Sequence, residues 1–460
     1  MKYAIALIIS KIIYLILKIT GKGATVFPGR IAIKICPDFL KYVKKPPLII
    51  GVTGTNGKTT VSNIIGDALK DLNYKVISNV EGANINFGIA STFISSSGKY
   101  DVAVLEIDER SSKKIYPYIK PDYIVITNLF RDSTRRNAHP EFIIDIINSS
   151  IPKTSTLIVN ADDLICSQIG PDNKKIYYSI EKLDGDTKVS NNIVRDIIIC
   201  PNCYTKLEYE YVKYHHIGKA YCKNCDFKSS EPDYKAVNVD FENLKMTVKN
   251  KNKMSTYPMI SNSIFNTYNE LAVICVLSEL KMKAVDIKNT ISKIKIVETR
   301  FTTEKVNDIE IITHLAKGQN PIACSRVFDY VKSEKGNKEV IVMIDDVTDN
   351  LESSENMTWI YDTDFEFLND DSIKRVILGG PRAYDNFLRI LLTGIDRKKV
   401  FYTLDELDVV NYLNLKDIDK VFILHDLHAV DLGFKVKKKI TNKILGGEIN
   451  ENWNSFFRNM

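Results

Sequence analysis

Gly54-Thr55-Asn56-Gly57-Lys58-Thr59-Thr60 has the residue types and order of a triphosphate cradle. Glycines let backbone N–H groups approach phosphate oxygens, and a helix starting just after them adds its partial positive charge. Lys58 is placed to reach the β/γ-phosphates, and the Thr59 hydroxyl to ligate Mg²⁺. The spacing departs from G-x-x-x-x-G-K-[ST], because the first glycine would fall on Val52 while glycines stand at 51 and 54. A second constellation is Cys200, Cys203, Cys222 and Cys225, two C-x-x-C pairs flanking a Tyr-rich stretch. Four thiolates at that separation suit tetrahedral Zn²⁺ in a zinc ribbon over 196–230, a structural site because every ligand is protein. A redox pair is the alternative reading. A third is Glu106-Ile107-Asp108-Glu109, where a hard oxygen ligand for Mg²⁺ is needed beside a triphosphate; Glu106 is the expected ligand, with a solvated acidic turn as the other reading.

Apolar runs set these groups on a frame. Leu48 to Val52 reads as a buried parallel strand, and Val61, Ile64, Ile65 and Leu69 follow at helical spacing. Further strands are expected at Val76–Ser78, Val102–Leu105, Tyr123–Ile126 and Leu157–Val159, alternating with helices. That alternation predicts an α/β domain with a doubly wound parallel sheet and sites at the strand C-terminal ends. Asn128-Leu129-Phe130-Arg131-Asp132 and Asn160-Ala161-Asp162-Asp163 occupy two such ends, as helix caps or as site residues. Residues 259–296 read as helical, with Leu271, Ile274, Cys275 and Leu277 on an apolar face. From 301 to 460 strands and helices alternate again, predicting a second α/β domain. The expected division is thus 1–47 as an apolar lead-in, 48–300 as the nucleotide-binding domain carrying the ribbon, and 301–460 as the C-terminal domain.

At 460 residues, with 44% hydrophobic and 26% charged residues, the chain can bury more than one core. A net charge of +6 is too mild to argue for nucleic acid as a partner. The remaining four of eight cysteines are scattered in apolar surroundings, which fits a reduced cytoplasmic compartment rather than a disulfide scaffold. Met1 to Thr20 is apolar but interrupted by Lys2, Lys11 and Lys18, so it is too charged for a membrane span. It is either a helix packed on the domain or an interfacial helix at the inner face of the plasma membrane.

Together these segments resemble the Mur ligases, and among them the MurT type, which carries a zinc ribbon within the central domain. The resemblance rests on Phe27-Pro28-Gly29, Thr53–Thr60, Glu81-Gly82-Ala83-Asn84, Glu106–Glu109, Asn128–Asp132, Asn160–Asp163, the four cysteines, Phe265–Asn269, Arg300, Leu315-Ala316-Lys317 and Trp359–Asp362. It implies an ATP-dependent ligase that activates the D-isoglutamate α-carboxylate of the lipid II stem peptide as an acyl phosphate. Ammonia would come from a GatD-like glutamine amidotransferase subunit. It also implies that Asn266, Asn269 and Arg300 bind the adenine or ribose side of ATP. Several segments depart from the family pattern, notably 133–141 and 318–323. The family has an Asp three residues before the Trp359 position, completing the partner's Cys–His set; here that position is Asn356, and the longer loop offers Asp349, or else Glu355, as the stand-in. The departures keep two other readings open: a ligase for a different carboxylate or nitrogen donor, and a silent ATP-binding scaffold subunit.

Overall fold

Short apolar runs covered on both faces become parallel strands, because only a sandwiched sheet can bury both sides of its pleat. The structure is a computed structural model describing residues 1–79, 83–96, 98–131, 139–294, 301–345, 357–426 and 429–446. Its described residues fall into two units, one formed by 1–131, 139–191 and 195–294, the other by 192–194 and 301–446.

In the first unit the strands are β1 (Leu48–Thr53), β2 (Val76–Ser78), β3 (Val102–Glu106), β4 (Tyr123–Ile126), β5 (Thr156–Asn160), β6 (Lys175–Ile180), β7 (Glu208–Tyr214), β8 (Ile217–Tyr221), β9 (Tyr234–Asp240), β10 (Lys245–Asn250) and β11 (Lys253–Pro258). Nine of them form one sheet in the order β11-β10-β9-β6-β5-β4-β1-β3-β2, and β7 and β8 pair as a separate hairpin. The order reverses at β1, which lies between β3 and β4, so the turn after β1 opens at the switch point where α/β sheets bind ligands.

The sheet is parallel from β2 across to β9, but β9-β10-β11 is an antiparallel meander that the helix–strand alternation did not predict. Its cause is local. Leu244 and Lys251 adopt positive φ in tight turns, and the Asp240 side chain accepts from the N–H groups of Glu242 and Asn243.

The helices of this unit are α1 (Lys2–Ile19), α2 (Phe27–Ile35), α3 (Phe39–Tyr42), α4 (Lys58–Asp71), α5 (Asn86–Ser95), α6 (Ser112–Ile115), α7 (Pro140–Asn148), α8 (Ile264–Glu279) and α9 (Ala284–Lys293). α8 is buried on nearly every side from Thr267 to Leu277, as expected of a helix apolar all round. α1 is different. It packs on α2 and α5 through a narrow stripe in which only Ala6 and Ser10 are buried, with the Tyr3 ring 5.1 Å from Phe39. Ile5, Ile8, Ile9, Ile12, Leu15, Ile16 and Ile19 stay exposed. No described helix is long and apolar enough to cross a membrane.

In the second unit the strands are β12 (Phe301–Val306), β13 (Ile309–Leu315), β14 (Lys338–Met343), β15 (Ile373–Gly379), β16 (Val400–Thr403) and β17 (Lys420–His425), in the order β12-β13-β17-β14-β15-β16. All neighbours are parallel except the β12–β13 hairpin. The helices α10 (Pro321–Ser333), α11 (Ala383–Leu391) and α12 (Val430–Ile444) cover it, and a buried core is centred on Val340, Val342, Val376, Leu378, Phe422 and Leu424.

Candidate functional site

The glycine turn runs from the end of β1 into the first residue of α4. Gly54 and Gly57 sit at φ 126° and 87°, conformations that side chains rarely adopt. A Cβ on Gly57 would also stand 2.4 Å from Asn269 Oδ1, so a side chain is excluded there by space as well as by strain. Lys58, Thr59 and Thr60 form the first turn of α4, whose leading N–H groups have no intrahelical acceptor.

Lys58 points back into the turn. Its Nζ donates to Gly54 O at 2.5 Å, to Thr55 O at 3.3 Å and to Glu109 Oε1 at 3.1 Å. Burial disfavours the ammonium, but the carboxylates of Glu109, Glu106 and Asp108 outweigh it and hold Lys58 charged above its usual range. On the Glu109 side burial is the larger influence and pushes the carboxyl up, aided by Asp108 and opposed by Lys58. The partner of Lys58 is therefore Glu109, a residue the sequence printed in the acidic run without a role.

Glu106 closes β3 and is 4% exposed. Its Oε1 accepts from Asn84 Nδ2 at 2.8 Å, and its main chain is clamped at both groups by the Asn79 amide. This places a buried carboxylate within the charge field of Lys58, an arrangement that can hold a divalent cation against phosphate.

Two polar strand ends brace the turn. Asn128 O accepts from Thr55 N at 2.8 Å, while the Asn128 amide exchanges hydrogen bonds with the main chain of Asn56. Phe130 N donates to Thr55 Oγ1. Asp163 caps the 3-10 turn after β5 through Ile165 N and Cys166 N, and its Oδ2 accepts from Leu129 N at 2.9 Å. Burial pushes its carboxyl up, but the hydrogen bond and charge of His216 and the donors Leu129 and Cys166 win and hold it below its ordinary range. Asp162 takes Tyr268 Oη at 2.7 Å and Ile180 N at 3.0 Å; there burial wins and pushes the carboxyl to about 6. So these residues act both as caps and as struts of the site.

From α8, Asn269 lies over Gly57 and donates to Asn266 Oδ1 at 3.3 Å, and Asn266 donates to Ser261 Oγ. Arg131 pairs with the buried Asp196, a contact across 65 positions that nothing in the sequence signalled. Arg300, Glu81, Asp132, Asp349, Glu355 and Asn356 lie outside the described residues.

The four ribbon cysteines converge, with all four Sγ atoms within 4.8 Å of one another. Cys200 and Cys225 are 3.5 Å apart and Cys203 and Cys222 3.4 Å. A tetrahedral ion with metal–sulfur bonds of ~2.3 Å needs sulfurs about 3.8 Å apart. The set is compatible with zinc.

In the second unit the Trp359 segment is a 3-10 turn locked by Arg389, which donates to Ile360 O and Thr363 O and pairs with Glu366 at 2.8 Å. Asp364, fully buried, accepts from Asn192 Nδ2 and Ile193 N. At the C-terminal end of the sheet Gly318 packs against Asp426 and Asp345, where a Cβ would stand 2.1 Å from Asp426 Oδ2.

Comparison with known proteins agrees in fold and family. Residues 52–225 match the model of the Mur ligase middle domain and residues 317–430 that of the MurT ligase C-terminal region. The lipid II isoglutaminyl synthase (glutamine-hydrolyzing) subunit MurT of Staphylococcus aureus strain COL is 34% identical over 379 residues, 82% of this chain and 84% of that one. The same-named subunit of Streptococcus pneumoniae is 29% identical over 92% of this chain and 94% of that one. Among solved structures, a pseudomurein peptide ligase type C from Methanothermus fervidus superposes with a TM-score of 0.65 at 25% identity, covering 88% of this chain and 81% of that one. MurF from Thermotoga maritima in complex with ADP superposes at 0.60 and 15% identity, over 90% and 84% of the two chains.

Proposed function

We propose, because this chain belongs to the MurT family of Mur ligases, that it is the ligase subunit of an enzyme amidating the peptide of a peptidoglycan precursor. ATP transfers its γ-phosphoryl group to the α-carboxylate of D-isoglutamate in the lipid II stem peptide, leaving ADP and an acyl phosphate. Ammonia attacks the acyl carbon, phosphate departs, and D-isoglutamine results. A GatD-like glutamine amidotransferase supplies the ammonia, with Asp349 standing in for the family carboxylate at that contact.

The protein's part is placement and charge neutralisation. Lys58 turns from Glu109 to the β/γ-phosphates. Thr59 and Glu106 would hold Mg²⁺, which when bound neutralises the triphosphate. Gly54 to Thr60 offer backbone N–H groups, and Asn266, Asn269 and Arg300 take the adenine or ribose side. The four cysteines hold a structural Zn²⁺. The observation that carries the reading is Lys58, a part-buried ammonium in the turn of two positive-φ glycines at the sheet's switch point, ringed by Glu106, Asp108 and Glu109.

This reading puts the chain in the cytoplasm at the inner face of the plasma membrane. The first 37 residues hold Lys2, Lys11, Lys18, Lys22, Arg30 and Lys34 and no Asp or Glu, so the whole formal excess of +6 resides there, beside the exposed apolar face of α1. Such a surface suits an anionic bilayer.

The test is amidation of lipid II by the purified chain with MgATP, using glutamine plus the partner subunit, or ammonium chloride without it. Amidated product in both arms, abolished by Lys58→Ala, is expected. ADP formation only with another acceptor, or nucleotide binding with no turnover, would overturn the proposal in favour of a different ligase or a scaffold.

A further inference from the structure

The ribbon hairpin has no evident part in phosphoryl transfer, yet its tip is buried in the nucleotide-binding domain. His215 and His216 form the turn between β7 and β8, each only 1% exposed. His216 Nε2 lies 3.3 Å from Asp163 Oδ1, and both side chains are wholly buried. Because Asp163 is held as a carboxylate, Nε2 is the donor. The other oxygen of the same carboxylate accepts Leu129 N.

Leu129 stands between the two residues that grip the phosphate turn. Asn128 bonds Thr55 N and both main-chain groups of Asn56, and Phe130 N bonds Thr55 Oγ1. The Phe130 ring in turn packs 4.6 Å from the His216 ring and 5.5 Å from His215. On the opposite side of the turn, Tyr214 meets Phe265 at 4.2 Å, one residue before Asn266. Gly218 N donates to Asp162 O, and Asp162 holds Tyr268, the neighbour of the Asn269 that covers Gly57. The hairpin tip thus touches both braces of the turn at once.

We infer that His216 is a positioning residue for nucleotide binding: through Asp163 and Leu129 it fixes the 128–130 segment that shapes the backbone of Thr55 and Asn56. The cysteine set anchors the root of the ribbon and His216 anchors its tip, so the ribbon is a brace for the phosphate turn. A hydrogen bond to a charged, fully buried acceptor is among the stronger ones, and losing it leaves Asp163 undersatisfied.

The inference rests on the proposed nucleotide site, and its primary readout is chosen not to need nucleotide. Amide hydrogen exchange on the full-length, zinc-loaded chain follows peptides covering 54–57 and 128–131. In His216→Ala, protection there should fall about tenfold while zinc content and the protection of β3 and β15 stay as in the parent. His216→Gln, whose amide nitrogen reaches the position of Nε2 and can still donate to Asp163, should restore most of it. Affinity for MgATP, read by calorimetry without acceptor, should fall about tenfold in His216→Ala and recover in His216→Gln. Unchanged protection in both peptides would overturn the inference even if nucleotide binds. Equal loss in the Ala and Gln variants would overturn it too, because that is the mark of general packing. A parent chain that binds no nucleotide would sink the proposed function instead, while the exchange result still decides the role of His216.

Discussion

Glu109→Gln separates the resting partner of Lys58 from its working one. Glu109 is buried and Lys58 part-buried, with side chains 5% and 14% exposed and 3.1 Å between Nζ and Oε1. Removing one member of a buried pair costs ~3–5 kcal/mol. Here Lys58 keeps Gly54 O, Thr55 O and the field of Glu106 and Asp108, which lowers the expected loss to about 1–3 kcal/mol. Bound phosphates replace the missing charge, and the variant need not break an ion pair to free Lys58. The free form is therefore weakened more than the bound form, and by linkage the variant binds MgATP more tightly, by roughly 5- to 150-fold. Calorimetric titration with a non-hydrolysable ATP analogue measures the affinity. Thermal unfolding with and without ligand measures the two stabilities. An unchanged free-state stability together with equal or weaker binding refutes the reasoning, for Glu109 would then not be what holds Lys58 in the resting site. Lys58→Ala is the control and should lose affinity in either background.

Metal analysis should find one zinc per chain, lost in Cys222→Ser, with the melting temperature lowered by roughly 4–8 °C for a cost of about 2 kcal/mol. Glu270 is buried on α8 and burial pushes its carboxyl to about 8, against the opposing donors Ile260 N and Ser261 N. A carboxyl raised in the folded state keeps a proton that the unfolded chain releases, so its contribution is full below pH ~4.5 and is lost as pH rises through 8, by about 5 kcal/mol at most. Denaturant midpoints at pH 5, 6.5 and 8 should fall less steeply in Glu270→Gln than in the parent; parallel slopes would refute this. Vesicles rich in phosphatidylglycerol should sediment the chain and phosphatidylcholine vesicles should not, with binding lost in Ile8→Ser/Ile12→Ser and weakened by salt. Dimers of the parent that the double variant abolishes, without vesicle binding, would assign that face to a second copy instead.

What could be read from the chain was what neighbours in sequence decide. The glycines, Lys58 and Thr59 lie within one turn, and each C-x-x-C pair spans four residues, so residue type and spacing carried their meaning. The central strands were legible because burial on both faces leaves uninterrupted apolar runs such as Val102 to Leu105. Which carboxylate meets Lys58 was not legible. Asp108 Oδ1 accepts from Arg110 N and Ser111 N, and that cap begins a 3-10 turn at Glu109, beside the glycine turn. The choice between Glu106 and Glu109 thus depends on a turn whose geometry a list of acidic residues does not contain.

The braces were hidden for a different reason. Asp163 reaches back 34 positions to Leu129 and forward 53 to His216, and Tyr268 meets Asp162 across 106. Each of these polar groups looks locally like a cap or a stray histidine. Only burial distinguishes them, because an Asp or His with no access to water must find its partners inside the protein. Polar residues at strand ends that should face a core are therefore the trace such a network leaves in sequence. Asn128, Asn160, Asp162 and Asp163 all left it, and the structure turns that trace into one connected support for the phosphate turn.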